Sequence, residues 1–136
     1  MGVASSAGYS EGMKLRVDFD VDGPLLLAVV TGTASFDDSW HVLKEICDTA
    51  LEKQVNRILI DGLAVQRVTT AFERYNLGVK LVAYCGAHEF WPKLALVGQS
   101  PVIDGFGTVV ARNRGLFTEV FPNRMEALEW LRTAPK

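Results

Sequence analysis

Residues 57–86 read RILIDGLAVQRVTTAFERYNLGVKLVAYCG. The opening Arg57-Ile58-Leu59-Ile60-Asp61 is a short apolar run without alternation. A strand covered on both faces reads this way, and such strands are the buried parallel kind. Thr70-Ala71-Phe72-Glu73 has the S/T-x-x-E form of a capping box, in which hydroxyl and carboxylate each satisfy a backbone N–H of the first helical turn. Ala71, Tyr75, Val79, Val82 and Ala83 then share one apolar helix face, and Gly78 on that face allows close approach to a sheet. Gly86 is a natural stop. A buried strand, a loop over 62–68 and a capped helix make half of a βαβ unit, which sets the fold class as α/β.

The pattern repeats toward the C-terminus. Leu94-Ala95-Leu96-Val97-Gly98 is another buried strand. Phe106, Val109 and Val110 mark a helix that starts near Asp104 and stops at Gly115. Leu116 to Phe121 is a short last strand. Asn123-Arg124-Met125-Glu126 is a capping-box variant ahead of a terminal helix with Ala127, Leu128 and Leu131 inward and Trp130 structural. Toward the N-terminus, Leu15, Val17 and Phe19 alternate with Arg16, Asp18 and Asp20, the sign of a half-buried strand. The turn Asp22-Gly23-Pro24 joins it to the apolar strand Leu25–Val30 as an antiparallel hairpin. Ser35 caps a helix whose apolar stripe is Leu43, Ile46, Cys47, Ala50 and Leu51. The order is β-β-α-β-α-β-α-β-α. It predicts a mixed sheet with an N-terminal antiparallel hairpin followed by parallel βα units.

The chain has 136 residues, enough for one core, here placed at 13–134 after a flexible tail over 1–12. The tail has no apolar signal region. It fits the loose myristoylation pattern through Gly2 and Ser6, with no polybasic second signal. Hydrophobic residues are 49% and charged residues 22% of the chain, the balance of a globular protein. A net charge of -2 gives no general pull toward nucleic acid. No apolar run reaches the ~20 residues of a membrane span. The expected location is the cytoplasm, with Cys47 and Cys85 as buried reduced thiols.

Few residues suggest chemistry. Asp61 ends a central strand, where open α/β sheets bind ligands, with Gly62 opening the following loop. It can equally accept hydrogen bonds from its own loop. Cys85-Gly86-Ala87-His88 has C-x-x-H spacing but lacks the further ligands a zinc site requires. A small enzyme using Asp61 and His88 is the catalytic alternative. Gly105-Phe106-Gly107 lacks the third glycine and the preceding first strand of a dinucleotide loop. No cofactor is expected. Among the aromatics, Trp40 and His41 sit in the first turn of the first helix, and Phe90 and Trp91 in a loop before a strand. A loop aromatic can line an apolar pocket or, more commonly, plug the end of the core; a pocket lined by Phe72, Tyr75 and Trp91 would support binding of an apolar ligand.

In element order, in Val30-Thr31-Gly32-Thr33 at the end of the second strand, and in Ile58-Leu59-Ile60-Asp61, the chain resembles the STAS domain. That fold is shared by anti-sigma factor antagonists and the cytoplasmic parts of sulfate transporters. It is more similar to the SpoIIAA-like branch of small stand-alone bacterial proteins. A closing F-x-x-x-x-E-A-L-x-W-L segment recurs there, and residues 121–131 read FPNRMEALEWL here. The turn Ala111-Arg112-Asn113-Arg114-Gly115 also fits. The resemblance spans roughly residues 14 to 133.

The resemblance implies a non-catalytic regulatory module that binds a protein partner. In anti-sigma factor antagonists a serine at the start of the second helix is phosphorylated, and the added charge makes or breaks the partner interface. The family pattern Asp-Ser-Ser-Gly falls on Val68-Thr69-Thr70-Ala71, so only the hydroxyls persist. Thr69 is the candidate phosphoacceptor; as an alternative, Thr69 and Thr70 simply start a helix. The expected contact surface joins Asp61, Gly62, Thr69, Thr70, Glu73, Arg74 and Tyr75, with Trp40 and Trp91 at its margins. The branch is also similar in fold to SEC14-like lipid-binding domains, so an apolar ligand between helix and sheet is a second binding reading. A homodimer is compatible with either.

Overall fold

A computed structural model describes residues 14–66, 69–99 and 106–133, with side chains from 109 onward in the last stretch. The expected tail over 1–12, Val68 and the helix start near Asp104 lie outside the described residues. The elements are β1 (Leu15–Asp22), β2 (Leu25–Thr33), α1 (Phe36–Lys53), β3 (Arg57–Gln66), α2 (Ala71–Ala87), β4 (Lys93–Val97), α3 (Phe106–Asn113), β5 (Phe117–Phe121) and α4 (Arg124–Arg132). The sheet has five strands in the order β1-β2-β3-β4-β5. β1 is antiparallel to β2, and every later neighbour is parallel. This is the α/β class and the mixed sheet that the sequence predicts.

Strands added one after another to the same edge, through right-handed crossovers, leave their helices on one face. α1, α2 and α3 accordingly share a core with Leu26, Ala28, Val30, Ile58, Ile60 and Leu94. α4 follows the last strand and folds onto the opposite face. There Ala127 and Leu131 pack on Leu59, Ala95 and Val97. The alternation of side chains along each strand sorts residues between the two faces.

Helix starts follow local chemistry. Ser35 accepts from Asp38 N–H, Thr70 closes a full capping box with Glu73, and Asn123 accepts from Glu126 N–H. Gly32 is required by the hairpin. It has φ +117°, and a Cβ there would overlap the Lys14 carbonyl oxygen. That carbonyl accepts from Thr33 N–H at 2.9 Å.

Several expectations need correction. β3 does not end at Asp61; it continues to Gln66 beside Thr31–Thr33 of β2, past a register shift between Val29 and Thr31. Only β4 stops pairing there, at Asp61↔Val97. α2 runs through Gly86 and ends at Ala87, because His88 rather than glycine supplies the capping N–H. Its buried residues are Gly78, Leu81 and Cys85. Ala71, Tyr75 and Ala83 of the expected inward face are exposed, while Val79 and Val82 are half-buried. The helix has apolar residues on more than one side, so periodicity alone does not fix which side meets the sheet. Among the described residues, no helix is long and apolar enough to cross a membrane.

Candidate functional site

Asp61 belongs to the α4 face. It is 7% exposed. One carboxylate oxygen accepts from Leu63 N–H at 3.0 Å, and the other from Arg124 Nε at 2.6 Å. The first bond is the local loop contact anticipated for an aspartate. The second ties β3 to the first residue of α4. Both oxygens have partners within the fold, as a buried charge requires.

Lys93 makes the matching contact at the other end of α4. The residue is 4% exposed. Its Nζ donates to Trp130 O at 2.5 Å, Thr133 O at 2.8 Å and Thr133 Oγ1 at 2.7 Å. These acceptors lie at the helix C-terminus, where a cation suits the dipole. The ammonium also sits over the Trp130 and Phe117 rings, at 4.5 and 5.5 Å. Burial, and then the nearby Arg57 charge, hold its pKa below the ordinary 10.5. Trp130, packed edge-on against Phe117 at 5.7 Å, is structural as expected. The sequence offered no sign of this lysine beyond a cation placed in an apolar strand.

The start of α2 belongs to the other face. Thr69 is 9% exposed, and its carbonyl accepts from Arg74 Nη1 at 2.5 Å. Thr70 is exposed and committed to the capping box, with Thr70 N–H donating to Glu73 at 2.9 Å and Glu73 N–H to Thr70 Oγ1 at 3.0 Å. Phe72 is 72% exposed and Tyr75 37%. Arg114 of the turn after α3 reaches Tyr75, its Nη2 donating to the phenol oxygen at 3.2 Å.

The expected surface is therefore divided. Gly62, Thr69, Thr70, Glu73, Arg74 and Tyr75 gather at the carboxyl end of the sheet on the α1/α2 face, while the Asp61 side chain faces α4. Trp40 does not join them. It packs edge-on against Tyr84 at 5.8 Å and lies under Lys80 Nζ at 5.2 Å. Trp91, 50% exposed, lies at the opposite end of the sheet beside Asn56, Arg57, Lys93 and Phe117. His88 is exposed at the end of α2, with Nδ1 2.9 Å from Tyr84 O. The structure does not bring Asp61 and His88 together. Each is held by its own neighbours, and α2 carries His88 back toward the start of β4.

Cys47 and Cys85 are both buried and unbridged, on α1 and α2. A hydrogen bond between the two thiols, and then burial, pushes the Cys47 pKa up. Among the described residues, no group of His, Cys, Asp and Glu could hold a metal ion.

A cavity of about 180 Å³ lies between α1, α2 and the sheet. Val30, Ile60 and Leu94 form its floor, and Val42, Ile46 and Leu81 its roof. The polar residues among its described lining are Ser39, Thr69, Arg74 and Thr118. Ser39, Val65, Arg74 and Leu77 of the lining are only half-buried, which places the mouth beside the first turn of α1, the end of β3 and the first half of α2. The space occupies the place expected for an apolar ligand, but its walls differ from the expected ones. Phe72 and Tyr75 point to solvent outside it, and Trp91 is remote.

No protein-family model and no curated protein matches the chain. Solved structures do. One is an anti-sigma factor antagonist from Mycobacterium paratuberculosis, with a TM-score of 0.62 and 12% identity, covering 92% of this chain and 100% of that one. A second is an uncharacterized protein with a SpoIIAA-like fold from Shewanella loihica PV-4, with a TM-score of 0.51 and 21% identity, covering 91% and 99%. The chain has the SpoIIAA-like fold. A third match, the NMR structure of the protein TM1081, has a TM-score of 0.52 and 17% identity over 98% of this chain and 100% of that one. The matches cover 92%, 91% and 98% of this chain, so the likeness takes in hairpin and βα units alike.

Proposed function

We propose that this chain is a non-catalytic, cytoplasmic regulatory module of STAS type that acts by binding a protein partner through the start of α2. The observation that carries this reading is the exposure of Phe72 and Tyr75 on a helix start held rigid by a complete capping box. Large apolar side chains grouped on a fixed surface characterise interaction sites, and aromatics dominate their energetics. The fold of an anti-sigma factor antagonist, seen at 12% identity, supports the same class. Glu73, Arg74 and Arg114 supply a polar border.

Thr69 stays the candidate phosphoacceptor, but its burial means that a kinase reaches the hydroxyl only after local opening. Thr70 is exposed yet engaged as a cap. Both points favour a module whose partner binding does not wait on modification. The separation of Asp61 from His88 weighs against the enzyme alternative. A volume of about 180 Å³ is below the ~300–1,000 Å³ of drug-sized pockets. A two-chain lipid of the SEC14-like reading has no room in it.

Affinity capture from the source organism's extract tests the proposal, with wild-type protein set against a Phe72→Ala/Tyr75→Ala double variant. The expected result is a protein retained by the wild type and lost from an equally folded variant. Identical retention by both would contradict it. Mass spectrometry of the native protein tests the Thr69 point, with unmodified Thr69 in the partner-bound fraction expected.

A further inference from the structure

We propose that the cavity beneath α1 and α2 is a binding site for a compact, uncharged, largely apolar molecule about the size of one aromatic ring system. This goes beyond partner docking and does not depend on it. Size is the first argument. An apolar cavity of about 150 Å³ stays dry and takes up benzene or xenon. The present space is about 180 Å³ and is walled mainly by branched aliphatic side chains.

Charge is the second argument. Among the described residues, no Asp, Glu or Lys lines the space. The cation among the described lining residues, Arg74, lies at the mouth, where its Nη1 donates to Thr69 O at 2.5 Å. An ion carried to the floor between Val30 and Ile60 would lose its hydration with nothing to replace it. Ser39, Thr69 and Thr118 among the lining residues carry hydroxyls, which allow one hydrogen-bonding group on the ligand.

Access is the third argument. The floor is buried, with Ile60 at 4% and Leu94 at 3% exposure. Half-buried Ser39, Val65, Arg74 and Leu77 collect at one end, so a ligand enters there without unfolding the sheet. Cys47 and Cys85 meet where the two roof helices cross, behind Ile46 and Leu81, and both thiols are already buried and paired. The site therefore works by packing rather than by covalent capture.

Indole and benzoate serve as probes in an amide NMR titration of the full chain. Indole is expected to give saturable shifts at Val42, Ile46, Gly78 and Leu81, and an unfolding temperature that rises with its concentration. Val42→Phe fills the roof and is expected to weaken indole by about tenfold or more. Leu77→Trp, at the mouth, makes the same test if Val42→Phe does not fold. Benzoate is expected to bind at least about tenfold more weakly than indole. The proposal is overturned if indole gives no saturable shifts. It is also overturned if the shifts fall only on exposed Phe72 and Trp91, if they persist unchanged in the filled variants, or if benzoate binds as well as indole.

Discussion

The two faces of the sheet are finished in different ways. On the α4 face each end of the helix is held by a buried charged residue from a neighbouring strand: Asp61 grips Arg124 at its start and Lys93 the carbonyls at its end. On the α1/α2 face the packing leaves a cavity, and exposed aromatics stand at the start of α2. The difference separates charge from function. Asp61, which looks most like an active-site residue in the sequence, serves together with Lys93 to fasten a helix. The hydroxyl and apolar residues of the other face are the ones left open to a partner or ligand.

Removing the fastening on the α4 face is expected to have the largest effect. Lys93→Ala deletes three hydrogen bonds and the stem packed on Phe117 and Trp130, and should cost about 3 kcal/mol in urea unfolding. An unchanged midpoint would show that α4 is held by its apolar contacts alone. Asp61→Ala strands Leu63 N–H and Arg124 and should cost about 2 kcal/mol. Asp61→Asn keeps an acceptor for Leu63 and should cost roughly half as much. Equal losses would place the whole effect on the arginine.

Changes on the α1/α2 face should be smaller in stability. Thr70→Ala breaks the capping box and should cost about 1 kcal/mol. Phe72→Ala, at a side chain open to water, should stay within about 0.5 kcal/mol of the wild type while weakening partner capture. The smallest effect concerns Tyr84. Its hydroxyl donates to Asp48, and that bond pushes its pKa up from 10.0 to about 12. The folded state thus keeps a proton that the unfolded state releases earlier. The stabilisation is present below pH 10 and is lost as pH rises toward 12. Ultraviolet titration of tyrosinate should show a late step that Tyr84→Phe removes, together with a small loss of stability below pH 10.

The architecture was legible because its signals are local. Ser35, Thr70 and Asn123 each bind an N–H three residues on, and a short window of sequence contains both partners. Gly32 belongs to the Val30–Thr33 motif, and the structure supplies its reason in the Lys14 carbonyl. The site was less legible because its determinants are distant. Arg124 is 63 residues from Asp61, so nothing in the Ile58–Asp61 run reveals that the carboxylate is already taken. The face of α2 was misread because Tyr75 and Val79 compete with Gly78 and Leu81 as an apolar stripe. The cavity left one trace, the small residues Ala34, Gly62, Gly78 and Ala111 that line it from separate elements. Their convergence is a property of the fold and cannot be seen along the chain.

The central claim is that function belongs to the α1/α2 face and fastening to the α4 face. Its most direct test is the affinity of the captured partner for Asp61→Asn and for Phe72→Ala/Tyr75→Ala, each confirmed as folded. The account predicts wild-type affinity for the first and a loss of about tenfold or more for the second. Loss of binding in Asp61→Asn, with the aromatic variant unaffected, would contradict it.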